Sequence, residues 1–312
     1  MRAVVARGPG AFAVEDVPEP VVPAGGRLVH VEAAGVCAAD RKLHTGDHPW
    51  GELAWPFVPG HELLGWDDAT GERITCEVKV PCGRCRYCRA ARENLCPRGA
   101  HLGSGFAGAF AERLALPPGA RVHRVPEALP AAAAVLAEPM ACAVHAVRRA
   151  GVRPGDAVAV VGLGAIGALV VHAARTAGAA VTAVVRTDAK AELARRLGAE
   201  PVAAPARIVI ECSGSAEGAA RALELAEPGG TVCLFGVYPP RVELDVNRIA
   251  EFGELTVVGG HLAPGAFPAA IELLAGVDHE AVVTAVRPLE EFETAMGPTD
   301  AARPRVKEVL VP

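Results

Sequence analysis

Four cysteines set the first chemical constraint: Cys82, Cys85, Cys88 and Cys96 stand at C-x2-C-x2-C-x7-C in a stretch rich in Gly, Arg and Pro. Thiolates at that spacing suit a closed tetrahedral Zn2+ site, which stabilises a lobe too irregular to have its own core; the cysteine count alone also admits an iron–sulfur centre. A four-thiolate site has no open position, so its role is structural. A second set is scattered: Cys37 follows Gly35-Val36, His61 and Glu62 follow Val58-Pro-Gly60, and Glu138 lies in Leu136-Ala-Glu-Pro139. One thiol, one imidazole and carboxylates are the donor types of a catalytic zinc, which takes three protein ligands and keeps a fourth position open. The third set is Gly162-Leu163-Gly164-Ala165-Ile166-Gly167, with G-x-G-x-x-G spacing. There the glycines permit a tight turn, close approach of a pyrophosphate to backbone N–H groups, and close packing of helix on strand.

These residues need elements to hold them. Ala157 to Val161 has strand composition and Ala165 to Ala177 has the small, apolar residues of a helix packed on a sheet; a second strand then ends at Arg186-Thr187-Asp188, with Lys190 shortly after. Further strands are expected at Ile208 to Cys212, Thr231 to Phe235 and Leu255 to Val258, alternating with helices at Ala189 to Leu197, Ala216 to Ala226 and Pro268 to Leu274. That alternation predicts a doubly wound parallel sheet with ligands at the carboxyl ends of its strands. Residues 1 to 35 read instead as a turn-rich antiparallel opening, with a short helix after Cys37 through His44. Cys76, Cys142, Cys212 and Cys233 lie in apolar segments and read as small buried residues.

The chain has 312 residues, 51% of them hydrophobic, enough for two domains with cores. Its net charge is 31 − 36 = −5 with both signs interspersed, and aromatics make up 4%, which argues against a nucleic-acid surface. No long uncharged apolar run predicts a membrane span, and the opening residues lack a signal peptide's features. A cytoplasmic protein is therefore expected, whose nine cysteines serve metal binding or catalysis before disulfides.

In their order, the motifs Gly35-Val-Cys-Ala-Ala-Asp40, Gly60-His-Glu62, the four-cysteine lobe, Leu136-Ala-Glu-Pro139 and Gly162 to Gly167 resemble the medium-chain zinc-dependent dehydrogenases of alcohol and polyol type. The resemblance implies a GroES-like catalytic domain (residues 1–126) with the structural zinc lobe, a Rossmann domain (127–270) and a C-terminal segment (271–312) returning to the first. It implies catalytic zinc on Cys37, His61 and Glu138, with Glu62 beside it or exchanging, and structural zinc on the four-cysteine lobe. It implies hydride transfer between a hydroxylated small molecule and a nicotinamide cofactor. Glutamate as third ligand resembles the polyol, sugar and threonine branch, so polyol, sugar or aminocyclitol substrates are expected; the alternatives are an aldehyde or allylic-alcohol reductase of the same fold, or a nucleotide-binding relic. A homodimer or homotetramer is expected, because a bare apolar sheet edge near Leu255 to Val258 invites pairing.

The chain also departs from that family. Ala39 stands where a Ser or Thr relays the alcohol proton, so a water-assisted route past Glu62 is expected, with Asp40, Lys42 and His44 as further candidates. No acid stands at the end of the second Rossmann strand; Arg186, Thr187 and Lys190 offer charge and a hydroxyl to a 2′-phosphate, which favours NADP(H), with NAD(H) the alternative. The eight residues Ala199 to Ala206 span at most about 26–29 Å extended, too few for the third strand and its return helix. That edge strand is expected to be absent or vestigial. A direct join from second to fourth strand through a helix on the usual face would, however, be a rare left-handed crossover.

Overall fold

The computed structural model describes residues 1–48, 52–297 and 305–312. Its five-stranded sheet is parallel throughout and runs in the order Ala180–Val184, Ala157–Val161, Ala206–Glu211, Ala226–Leu234, Thr256–Gly259. The middle strands are near-continuous apolar runs because both faces are covered. Helices Ala137–Ala150, Ala165–Thr176 and Phe267–Leu273 bury one face around Val160, Leu169 and Ile210. Helix Ala216–Leu225 covers the other, with Ala222 and Leu223 on Val209 and Val232. The chain leaves Ala157–Val161 towards one edge and later builds outward from Ala206–Glu211 towards the other. The crevice at the carboxyl ends of those two neighbours is where such sheets take ligands.

The contracted crossover has a simple solution. The third strand survives as a single parallel bridge, Thr182 to Glu200, with Ala183 N donating to Glu200 O at 2.8 Å and Glu200 N to Val181 O at 3.1 Å. Helix Asp188–Arg196 keeps Ala194 in the same cluster as Ala168 and Val181, so it lies on the face already used by helix Ala165–Thr176. The chain therefore moves outward, on the same face and in the same direction as the step before it, and keeps that step's hand. Only then does the short stretch after Glu200 return to Ala206, without a helix. The difficulty over handedness disappears because the bridge sits on the free edge of Ala180–Val184.

The seven-stranded sheet draws on distant parts of the chain, in the order Val283–Pro288, Lys307–Val311, Arg27–Val36, Glu62–Asp67, Arg73–Cys76, Val122–Arg124, with Arg113–Leu116 also paired to Arg27–Val36. Lys307–Val311 lies inside this sheet, antiparallel to Arg27–Val36 with Val309 opposite Gly35, while Gly35 pairs on its other side with Glu62. Two charged residues, Lys307 and Glu308, are thereby buried in this strand. The cysteine loop grows from a two-stranded base, Lys79–Val80 against Ala100–His101. Among the described residues no helix is long and apolar enough to cross a membrane.

Candidate functional site

Cys37 caps helix Ala38–Thr45 where strand Arg27–Val36 ends, and its backbone N donates to Asp40 Oδ2 at 2.9 Å, a reciprocal cap that fixes the turn carrying the thiol. His61 follows Gly60, whose left-handed φ of +93° and missing Cβ leave room for the Phe110 ring. The buried Asp40 then faces the imidazole, with Oδ1 3.4 Å from His61 Nδ1. Burial works against a charge on His61, but Asp40 and Cys37 together outweigh it and lift the imidazole's pKa well above its ordinary value. The arrangement is a carboxylate behind a histidine, which sets ring orientation and basicity in metal sites.

One ligand atom each from Cys37, His61 and Glu62 lies within 4.8 Å of the others. Glu62 is 1% exposed and does not stand free, because Lys307 Nζ, 2% exposed, donates to its two oxygens at 2.5 and 2.7 Å and to Val36 O at 3.0 Å. All three ammonium protons are used. Burial opposes the charge on Lys307, yet Glu62 and Cys37 hold its pKa above the usual lysine value. Gly35 permits the arrangement, since a Cβ there would overlap the Glu62 carboxylate. Glu138, in the first turn of helix Ala137–Ala150, is 5% exposed and stands outside the 4.8 Å set. Its hydrogen-bond partner is the Cys142 thiol, 3.3 Å away and one helical turn on. Burial, aided by Glu62, pushes its carboxyl up to about 7.

Cys82, Cys85, Cys88 and Cys96 converge within 4.8 Å, with Sγ separations of 3.4 Å for Cys85–Cys88 and 3.8 Å for Cys85–Cys96. A regular tetrahedron with metal–sulfur bonds of about 2.3 Å has edges of about 3.8 Å, so the thiols already stand near the spacing zinc demands. The Arg84 backbone N–H pulls Cys82 down to about 6, which favours the thiolate. All nine cysteines are free.

At the crevice, Gly162 has φ +89° and ends the first parallel strand; Gly164 caps helix Ala165–Thr176 with open space where its Cβ would be. A Cβ on Gly167 would overlap the Gly162 carbonyl. Leu163 is buried in the core and Ala165 and Ile166 pack against it. Arg186 is exposed at the end of the second strand, and Thr187 caps helix Asp188–Arg196 by accepting from Lys190 N at 3.3 Å. Lys190 departs from expectation: its Nζ donates to Arg305 O at 3.2 Å, reaching for the C-terminal segment.

Several contacts were not visible in sequence. Lys307 beside Glu62 is one; its signal is a Lys-Glu pair inside an otherwise apolar strand. Cys142 on Glu138 is another, for which the i, i+4 spacing is the signal. Lys42 Nζ bonds Val237 O at 3.1 Å and so ties the helix after Cys37 to the parallel sheet's loops.

Comparison with known proteins gives a consistent picture. The description "Alcohol dehydrogenase GroES-like domain" matches residues 23–127 and "Zinc-binding dehydrogenase" matches residues 165–276. Erythritol/L-threitol dehydrogenase of Mycolicibacterium smegmatis is 31% identical over 355 residues, covering 100% of this chain and 98% of the relative. L-Threonine 3-dehydrogenase of Streptomyces coelicolor is 32% identical over 348 residues, covering 100% and 99%. A zinc-binding dehydrogenase from Sinorhizobium meliloti, solved bound to NADP, superposes with a TM-score of 0.91 at 32% identity, over 100% of this chain and 99% of the other.

Proposed function

The chain belongs to the zinc-dependent alcohol and polyol dehydrogenases, and from that premise we propose that it oxidises a secondary alcohol of a polyol, sugar or aminocyclitol, with NADP(H) as the preferred partner. We assign catalytic zinc to Cys37, His61 and Glu138, with Glu62 beside them, and structural zinc to Cys82, Cys85, Cys88 and Cys96. The observation that carries the first assignment is the placement of Glu138: a carboxylate 5% exposed, held by the Cys142 thiol and joined by no ion pair among the described residues, is a buried acid that a cation would satisfy. Glu62 already has one in Lys307. When bound, zinc supplies Lewis acidity to the substrate hydroxyl and the nicotinamide takes the hydride.

The protein's own groups do the rest. Asp40 holds His61 in orientation, Cys142 holds Glu138, and Lys307 anchors Glu62 at the cluster's edge. Of the other relay candidates, Lys42 bonds Val237 O and His44 lies 3.3 Å from Glu293, while Asp40 is held between Cys37 N and His61. We therefore assign the departing proton to water entering beside Glu62. The named relatives act on erythritol, threitol and threonine, each with a secondary hydroxyl next to a second polar group, which supports the substrate class.

Metal analysis and a panel of polyols, sugars and aminocyclitols with both cofactors test the reading. Two zinc ions per chain and turnover of panel members are expected; one zinc and no turnover would exclude it. For the cofactor, Arg186→Ala is expected to lower kcat/KM with NADP+ about tenfold and with NAD+ less than about twofold, the size of one lost charge-assisted hydrogen bond. An equal loss with both would remove Arg186 from the 2′-phosphate. The outer edge of Thr256–Gly259 supports a homodimer, or a tetramer built from it: Val257 is 36% exposed there and Phe252, just before it, 66%. Sedimentation showing a stable monomer at micromolar concentration would refute that. A cytoplasmic setting agrees with nine free cysteines.

A further inference from the structure

Strand Ala206–Glu211 ends one strand spacing from the glycine turn, with Val161 and Glu211 in register and Cys212 N donating to Val161 O at 2.8 Å. Glu211 is fully buried. The donors that reach its carboxylate are neutral: Ser213 N at 2.6 Å to Oε1, Gly214 N at 3.2 Å to both oxygens, the Ser213 hydroxyl to Oε1 and the Tyr238 hydroxyl to Oε2. Burial, reinforced by Glu211, raises the Tyr238 phenol well above its ordinary range, so it remains a donor.

Those donors come from two loops at the floor of the dinucleotide crevice. Ser213 packs directly under the turn, since a Cβ on Gly162 would stand 2.7 Å from Ser213 Cβ and 2.8 Å from Ser213 N. Tyr238 follows Val237, whose carbonyl would lie 2.7 Å from a Cβ on Gly214. Glycines also make room for the carboxylate: a Cβ on Gly218 would be 2.6 Å from Oε1, and one on Gly236 2.8 Å from Oε2. One carboxylate thus joins the end of its own strand, the loop beneath the glycine turn and the loop after the next strand.

We infer that Glu211 is a positioning residue for the dinucleotide. Its carboxylate fixes Ser213 and Gly214 under Gly162 and Tyr238 on the same floor, so the turn's backbone N–H groups are set before the pyrophosphate arrives. This rests on the proposed nicotinamide-dependent activity. Hydrogen bonds to a carboxylate shielded from water are strong and mutually reinforcing, and replacing its charge aims the same donors at a weaker acceptor.

Glu211→Gln keeps the side chain's size and one acceptor oxygen while turning an amide NH2 against donors. Titration of NADPH into the zinc-loaded variant, followed by fluorescence, is expected to show Kd raised about tenfold or more, with KM for NADP+ rising in parallel, kcat changed less than about threefold and zinc content unchanged. A Kd within about twofold of wild type in the folded variant overturns the inference, because a purely structural role lowers the melting temperature and leaves affinity alone. If that variant does not fold, Tyr238→Phe and Ser213→Ala decide the matter, each removing one hydroxyl and leaving the carboxylate. Each is then expected to weaken NADPH about threefold or more, and no change in either overturns the inference. Wild-type protein that binds neither NADPH nor NADH in the same titration removes the underlying activity as well.

Discussion

Lys307→Met is expected to lower the unfolding free energy of the zinc-loaded protein by about 3–5 kcal/mol, the usual cost of stranding one partner of a buried ion pair. Methionine roughly preserves the volume of the lysine stem, so packing is kept and charge is what changes. Glu62, 1% exposed, would lose the donor to both its oxygens, and Val36 O would lose its partner as well. Urea unfolding at fixed free zinc measures the effect, and Lys307→Met combined with Glu62→Gln should recover most of it. A loss below about 1 kcal/mol for the single variant would show that Glu62 has another counter-charge.

Glu138→Ala carries the largest expected loss of activity. Bound zinc should fall from two ions per chain to one, and kcat/KM by about 10^3-fold or more, or about 4 kcal/mol of transition-state stabilisation. Stability of the chelated, metal-free protein should move the other way. There Glu138 is a buried carboxylate whose pKa burial and Glu62 have pushed up to about 7, and removing it relieves an unfavourable charge. Atomic absorption on the purified variant, thermal melting with and without chelator, and steady-state kinetics read the three effects. Two zinc ions retained with activity within about tenfold of wild type would move the third ligand from Glu138 to Glu62, which the 4.8 Å cluster already contains.

What could be read in sequence was local. The four-cysteine loop, the Gly60-His61-Glu62 turn and the glycine fingerprint each carry their meaning within a few residues, and the lost third strand follows from the length of Ala199 to Ala206 alone. Lys307 escaped because the residue it neutralises lies on a non-consecutive strand, 245 positions away, where no local spacing links the two. Lys190 read as a phosphate ligand from its place after Arg186, yet a tertiary contact with Arg305 directs its ammonium elsewhere. Glu211 gave no signal, because an acid at a strand end is ordinary until three segments are seen folded around it. Element ends shifted too: the strand expected from Thr231 begins at Ala226, where an irregular register lets Ala226 pair with Ala206.

The Glu62–Lys307 pair also has a history within each molecule's lifetime. The two residues are 245 positions apart. At about 5–20 residues per second, a ribosome needs roughly 12–50 s to travel from one to the other. Cys37, His61 and Glu62 are all made before that interval ends, and every strand of the parallel sheet is synthesised within it. The nucleotide half can therefore close on a nascent chain in which Glu62 still lacks its ammonium partner. When Lys307 emerges, its strand must slip between Val283–Pro288 and Arg27–Val36 to reach Glu62. Until then Glu62 lacks the counter-charge that Lys307 brings, so the carboxylate is neutralised last of all, by the strand that completes the sheet.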